Sequence, residues 1–487
     1  MSQPAPAPPF SAAVCEQARL TRDARFDGLF FTAVKTTRIY CRPVCPAPAP
    51  LARNIAYYPS AAAAAADGYR PCLRCRPEAA PGSPLHRAGS ELVRGALRLI
   101  EHGALDSAPL AALAERIGVG ERHLRRLFAD ELGASPLDVA ATRRLLFAKQ
   151  LLTETALPIT AIAGAAGYAS LRRFNAAFVG SYGKPPREFR RARAGRATDD
   201  GIVLRLPYRK PYDFAALAAF HARRTIPGVE AIEAGSYRRS IMLEGQPAGF
   251  SVAPIDGDDA LALRVHGVRT PMLGAVVARV RRMFDVDADP RAINAVLRRD
   301  PLLAPLVRRW PGQRLPGAWD GFELAVRAVL GQQVSVAAAR TLASRIVEHH
   351  GTPFARAPLA GIGALFPTPA ALADAPLELL GITRARAATI RGIAQACRDG
   401  TLDFGIEQTL PGIVERLCAL PGIGAWTAHY IAMRALSQPD AFPAGDLVLR
   451  KLAGGDGPLG ERAMETRAEP WRPWRAYAVM LLWRSAP

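Results

Sequence analysis

Apolar and polar positions alternate along this chain with two different periods, and the changes of period divide it. Between residues 88 and 190, Leu, Ala and Ile recur every three to four positions with Arg between them, which predicts amphipathic helices. The stretch 110–128, LAALAERIGVGERHLRRLF, and the stretch 159–178, ITAIAGAAGYASLRRFNAAF, share one shape. Each predicts a short helix, a turn at Gly118 or Gly167, and a second helix with Arg on its outer face; a longer helix over about 138–153 joins them. After residue 202 the period changes to two. YRRSIMLE, GFSVAPI and ALALRVHG read as strands separated by Gly and Asp turns, and from about residue 270 the helical period returns to the end.

The intervening segments lack either period. Residues 1–14 are rich in Pro and Ala and predict disorder, and RRARAGRATDDG at 190–201 reads as a linker. The expected domains are therefore 15–80, 88–190, 202–290 and 291–487, with a linker at 191–201. The fold class expected is multidomain and mainly α, with a small metal-bound N-terminal domain and an α+β subdomain in the second half.

Composition narrows the function. The 487 residues carry 63 Lys+Arg against 43 Asp+Glu, a net charge of +20, and this excess favours a polyanionic partner, nucleic acid first. No apolar run is long enough for a membrane span, and MSQPAPAPPFSAAV lacks the basic start and apolar core of a secretory signal. A cytoplasmic, nucleoid-associated location is expected, and there a disulfide framework is disfavoured against metal-bound or reactive thiols.

Four of the seven cysteines fall into two short pairs, Cys41-x3-Cys45 and Cys72-x2-Cys75, set 26 residues apart and flanked by Arg38, Arg42, Arg74 and Arg76. Two such pairs can converge on one tetrahedral zinc, and a segment of this size gains stability from a metal. Spacing alone fits a purely structural four-cysteine site. Cys15 reads as an ordinary free thiol, and Cys397 and Cys418, in apolar helical stretches, as core.

FDGLFFTAVKTTRIYCRPVC through YRPCLRCRPE resembles the N-terminal domain of the Ada adaptive-response family. The resemblance implies one zinc ion held by Cys41, Cys45, Cys72 and Cys75. It also implies that Cys41 accepts a methyl group from a methylated DNA phosphate, with Arg38 and Arg42 near the strand. Transfer would change the site from −2 to −1, weaken its repulsion of DNA and strengthen binding. The PCHR motif of that family's O6-methylguanine activity is absent, so that activity is not expected.

The repeated helix pairs, ending in GKPPREFRR, resemble the AraC-type DNA-binding domain. That implies recognition helices starting near Glu121 and Ser170. Arg122, His123, Arg125 and Arg126 would contact DNA from the first, and Ser170, Arg172, Arg173 and Asn175 from the second.

LPGIGAWTAHYIAMRAL (420–436) predicts a helix-hairpin-helix, whose Gly422 and Gly424 let backbone amides approach a phosphate. With AFPAGDLVLRKL behind it, the stretch resembles the helix-hairpin-helix DNA glycosylases. RLPGAWDGFELAVRAVLGQQVSV and WRPWRAYAVMLLW extend the resemblance over 202–487 to the AlkA-type 3-methyladenine glycosylases. It implies Asp446 as the catalytic carboxylate, Trp426, Tyr430 and Trp483 as walls of the base pocket, and Gln333 at the position of the family's wedge. Trp426 stands where strand-cutting members carry lysine, so a monofunctional glycosylase without a cofactor is implied; Asp446 also reads as a helix N-cap, and Trp471 and Trp474 as core. Double-stranded DNA, damaged and promoter, is the expected partner, with RNA polymerase for activation and a monomer as the expected state. The alternative is a methylation-triggered regulator whose glycosylase module is inactive and only binds DNA.

Overall fold

The computed structural model describes residues 8, 10–82, 90–190, 201–405, 407–454 and 457–486. The expected linker, apart from Gly201, lies outside them, as do residues 1–7 and 9 of the N-terminal stretch. The chain divides into two compact units: residues to Arg209 with Arg269–Ala278, and Lys210–Val268 with Arg279 onward.

In the first unit a four-stranded sheet carries the cysteines. Its strands lie in the order Ile55–Tyr58, Phe31–Val34, Ile39–Cys41, Arg70–Pro71. The central pair is antiparallel, with Thr32 opposite Cys41 and Val34 opposite Ile39. One face packs Phe31, Tyr40, Tyr58 and Tyr69 against the helix Ala61–Ala66. A second small core forms around Cys15, Ala18 and Phe30. It involves the helix Ala12–Leu20, capped by Ser11, which begins inside the stretch expected to be disordered. Two cores this small bury little apolar surface, which a bound metal would supplement.

The helix-turn-helix repeat forms as the spacing predicts. Leu110–Ile117 and Glu121–Leu132 make the first unit, Ile159–Ala165 and Leu171–Tyr182 the second. The joining helix runs Pro136–Glu154, started by a capping box between Ser135 and Asp138. Gly118 ends its helix at φ 79°, a left-handed turn that glycine enters without steric cost. Each second helix buries residues at i, i+4 and i+8: Leu124, Phe128, Leu132 and Phe174, Phe178, Tyr182.

In the second unit the predicted strands form an antiparallel meander of Ser236–Leu243, Gln246–Pro254 and Ala260–His266, with Glu230–Glu233 added at one side. The helical part centres on Gly321–Leu330, of which every residue from Phe322 to Leu330 except Arg327 is buried. Trp471 is fully buried, donating its indole N–H to Asp300 at 2.7 Å, and Trp474 packs against the same core. The expectation for Cys418 is corrected here: it is exposed, because the helix Leu410–Cys418 turns Ile413 and Leu417 inward and places the next residue about 100° away on its outer face, while Cys397, half-buried, packs against the core. Among the described residues no helix is long and apolar enough to cross a membrane.

Candidate metal centre and candidate active site

The sulfurs of Cys41, Cys45, Cys72 and Cys75 all lie within 4.8 Å of one another. Cys41 ends the strand Ile39–Cys41, and Cys72 follows Arg70–Pro71, which pairs parallel to it. The sheet thus brings the two pairs together, and the Cys72 N–H donates to Tyr40 O at 2.9 Å. Shared hydrogen bonds, first with Cys45 and then with Cys72 and Cys75, push the Cys41 thiol up, while the hydrogen bond with Cys41 pulls Cys45 and Cys72 down. Four convergent soft donors at this spacing fit a thiophilic dication.

The flanking arginines separate into different tasks. Arg42 pairs with Asp27, with its Nε 2.8 Å from Oδ1, and donates to Cys75 O at 2.9 Å; it braces the cysteine loop. Arg76 binds Glu78 at 3.1 Å and reaches Thr153 at 3.0 Å and Glu154 at 3.3 Å on the joining helix. Arg38 stacks on the Tyr69 ring at 4.2 Å and donates to Asp67 O. Arg74 is exposed beside the cysteines.

On the recognition helices Arg122, Arg125, Arg126, Arg172 and Arg173 are exposed, and His123 and Asn175 partly so. Arg125 pairs with Glu121 at 2.9 Å, while Ser170 caps its helix through Arg173 N at 3.3 Å.

In the second unit the helix-hairpin-helix is Leu410–Cys418, a turn, and Ala425–Ala435. Gly422 has φ 87°, and a Cβ there would lie 2.0 Å from Thr389 Oγ1, so both conformation and space require glycine. Gly424 opens the second helix with its N-cap backbone. Gln332, which sequence reasoning passed over, pins the turn by donating to Gly422 O at 3.0 Å and Thr427 Oγ1 at 3.2 Å.

Asp446 caps the helix Leu447–Ala453, accepting from Leu449 N at 3.0 Å. The same carboxylate accepts the indole N–H of Trp426 at 2.9 Å and that of Trp483 at 3.3 Å. Trp426 and Tyr430, one turn apart on one helix, stack with centroids 5.4 Å apart and planes 5° apart; Trp483 stands 6.1 Å from Tyr430. All four residues line a cavity of about 460 Å³. Gln333 does not line it. It stands exposed in the loop Gly331–Ser335 at φ 54°, a strained value for a residue with a side chain.

The back of the cavity is charged. Glu230 and Glu323 are knitted to Arg239 and Arg327, with Arg239–Glu323 at 2.6 Å and Arg327–Glu230 at 2.6 Å. Burial works against the Glu230 carboxylate, but Arg327 and Arg239 hold it down to about 2. Burial pushes the His221 imidazole down to about 3, so it is neutral. Burial alone would push the Tyr430 hydroxyl up, but Arg434, which donates to it at 2.8 Å, and Arg224 hold it below the usual phenol range. Glu323 with Arg327 and Tyr430 with Arg434 stand one turn apart on their helices, and Glu230 faces Arg239 across a hairpin, but the contacts Arg239–Glu323 and Arg327–Glu230 span 84 and 97 positions and leave no local signal.

Four family models match the chain: the metal binding domain of Ada at 14–78, a helix-turn-helix domain at 113–192, the AlkA N-terminal domain at 203–320, and the HhH-GPD superfamily base excision DNA repair protein at 326–476. A Mycobacterium tuberculosis protein described as a probable bifunctional transcriptional activator/DNA repair enzyme AlkA is 41% identical over 481 residues, covering 96% of this chain and 95% of that one. The DNA-3-methyladenine glycosylase 2 of Escherichia coli is 34% identical over 285 residues, 57% of this chain and 95% of that one. The bifunctional transcriptional activator/DNA repair enzyme Ada of E. coli is 41% identical over 120 residues, a quarter of this chain and about a third of that one. The solved 3-methyladenine DNA-glycosylase of Archaeoglobus fulgidus superposes with a TM-score of 0.51 at 22% identity, covering 57% of this chain and 96% of that one, and shows the same fold. With its metal-binding, helix-turn-helix and HhH-GPD modules in one polypeptide, the chain belongs to the family of bifunctional transcriptional activator/DNA repair enzymes of the AlkA type.

Proposed function

We propose that the chain senses and repairs alkylated DNA: Cys41 takes methyl groups from backbone phosphotriesters and so switches the chain to a transcription activator, and the Asp446 site excises alkylated purines. The observation that carries the repair reading is the carboxylate of Asp446, held by two indole N–H groups and a helix N-terminus at the edge of an aromatic cavity. A purine alkylated on a ring nitrogen is cationic and a good leaving group. The stacked Trp426 and Tyr430 attract such a ring once it leaves the helix. As the glycosidic bond breaks, its electron pair leaves with the base. The Asp446 carboxylate then stabilises the oxocarbenium sugar and orients the attacking water. With Trp426 rather than an amine in this position, no Schiff base forms, which supports a monofunctional enzyme needing no cofactor. Gln333, exposed in a strained loop, fills the gap left by the flipped nucleotide.

At the other site the four sulfurs fit zinc. When bound, zinc keeps these sulfurs as thiolates at neutral pH. The Cys41 sulfur attacks the methyl carbon of a phosphotriester; the carbon–oxygen bond breaks and the phosphodiester leaves with the electron pair. The exposed arginines of the two recognition helices hold promoter DNA. RNA polymerase is the partner for activation, and the chain acts as a monomer.

The test is incubation of the full chain with DNA treated with a simple methylating agent. Release of 3-methyladenine or 7-methylguanine, with one methyl found on the Cys41 peptide by mass spectrometry, is expected. Tight binding of that DNA with no base released would reduce the second unit to a binding module.

A further inference from the structure

The loop Gly331–Ser335 joins the helix Gly321–Leu330 to the helix Val336–His350, and its two adjacent glutamines behave differently. Gln332 is half-buried and held at both ends. Its side-chain NH2 donates to Gly422 O at 3.0 Å and to Thr427 Oγ1 at 3.2 Å, which engages both hydrogens. Its backbone carbonyl accepts from Arg386, in the first turn of the helix Arg384–Arg398, and its N–H donates to Val329 O at 3.2 Å. Gln333 is exposed and sits at φ 54°. A residue with a side chain keeps a left-handed backbone only where its surroundings fix it. Here both sides are fixed: Arg386 grips the peptide before Gln333, and Ser335, two residues on, caps the next helix through Ala338 N at 3.2 Å.

The bonds of Gln332 end on the parts that meet DNA. Gly422 is the hairpin glycine that has neither the conformation nor the space for a side chain, so the turn is a stiff anchor. Thr427 follows Trp426 on the helix Ala425–Ala435, which also carries Tyr430. One amide therefore ties the hairpin turn, the aromatic wall and the exposed Gln333. The helices Gly321–Leu330 and Ala425–Ala435 already share a buried core that includes Val329, Leu330, Ala428 and Ile431. Hydrogen bonds added at the edge of that core contribute modest stability, but they are directional and fix register.

We propose that Gln332 is a positioning residue that couples the hairpin turn to Gln333, so that a backbone phosphate held at the hairpin sets how far Gln333 enters the duplex as the damaged nucleotide leaves it. The proposal rests on Gln333 as the filler of that gap. It gives the hairpin, which grips any duplex, a part in the step that tests whether a base can leave the stack.

Gln332→Met keeps the length of the side chain and removes both donors, and Thr427→Val keeps the shape and removes one acceptor. Each is prepared in the full chain, alone and combined with Gln333→Gly, with thermal melts as folding controls. Single-turnover release of 7-methylguanine is followed with enzyme in excess, and binding of an undamaged duplex by anisotropy. Gln332→Met is expected to slow release about tenfold and Thr427→Val about threefold, as loss of two and one modest hydrogen bonds does. Affinity for the undamaged duplex is expected to stay within about twofold, since the hairpin itself is intact. In the Gln333→Gly background, Gln332→Met is expected to slow release by less than about twofold more, because two residues that act through one another are not additive. The full further loss in that background would make Gln332 a structural residue and overturn the proposal, as would wild-type release from Gln332→Met alone. Should Gln332→Met melt well below wild type, Thr427→Val carries the same cycle. Gln333→Gly that releases base at the wild-type rate refutes the gap-filling reading instead, and the coupling falls with it. If wild type releases no base, the emission of 2-aminopurine placed opposite an abasic-site analogue replaces release in the cycle: a Gln332→Met effect that vanishes with Gln333→Gly upholds the coupling, and one that persists removes it.

Discussion

Asp446→Asn changes charge with the least change of shape. Asparagine caps helices as well as aspartate, so the helix Leu447–Ala453 persists. The carboxylate accepts three hydrogen bonds through two oxygens; an amide keeps one acceptor, and its NH2 then faces an indole N–H. That mismatch costs about 1–3 kcal/mol of stability. The catalytic loss is larger. A unit charge about 4 Å from the oxocarbenium, at an effective dielectric of about 20, contributes about 4 kcal/mol, or roughly a thousandfold in rate. The assay is single-turnover release of 3-methyladenine with enzyme in excess, beside a thermal melt. A variant melting within a few degrees of wild type and releasing base about a thousandfold more slowly is expected. A folded variant within tenfold of wild type would refute the claim that this carboxylate stabilises the sugar. Trp426→Phe, which keeps the stack and removes one donor, should fall between the two.

Chelation of the metal should unfold residues around the cysteine sheet, read as loss of zinc and of near-ultraviolet dichroism from Tyr40, Tyr58 and Tyr69, while base release persists. Gln333→Gly should relax the φ of 54° and raise stability by about 1 kcal/mol while slowing base release, and Gln333→Leu should keep that release. Burial pushes the Asp285 carboxyl up to about 6 against an ordinary 3.8, so the folded chain holds a proton there that the unfolded chain has lost. Its contribution favours folding at low pH and is lost as pH rises from about 4 to about 6. Asp285→Asn should therefore flatten the melting temperature over that window relative to wild type. Borohydride added during turnover should trap no protein–DNA adduct.

Local signals carried much of this architecture. The cysteine spacing marked four sulfurs that the sheet brings together, because each short pair sets two ligands locally and a single pairing, Arg70–Pro71 beside Ile39–Cys41, joins them. The repeat at 110–128 and 159–178 marked both helix pairs, since each buries its own stripe. Asp446 was legible both as cap and as candidate catalytic group, and it serves the first role while facing the cavity. Arg42 and Arg76 were less legible: proximity to cysteines in sequence did not show that Asp27, Thr153 and Glu154 would engage them. Cys418 misled because an apolar helix still has an outer face. The contacts of Arg239 with Glu323 and of Arg327 with Glu230 join residues 84 and 97 positions apart, where pattern reading has no purchase.

The stack of Trp426 on Tyr430 also makes the pocket a source of light. An indole held parallel to a phenol, with its N–H on a carboxylate, emits from surroundings unlike those of the buried Trp471. A flipped purine sliding against that ring would quench it within the same event that commits the base. Stopped-flow emission from the unlabelled chain could therefore time base entry separately from bond cleavage, with Trp426→Phe, which removes this emitter and keeps the other five tryptophans, as the control.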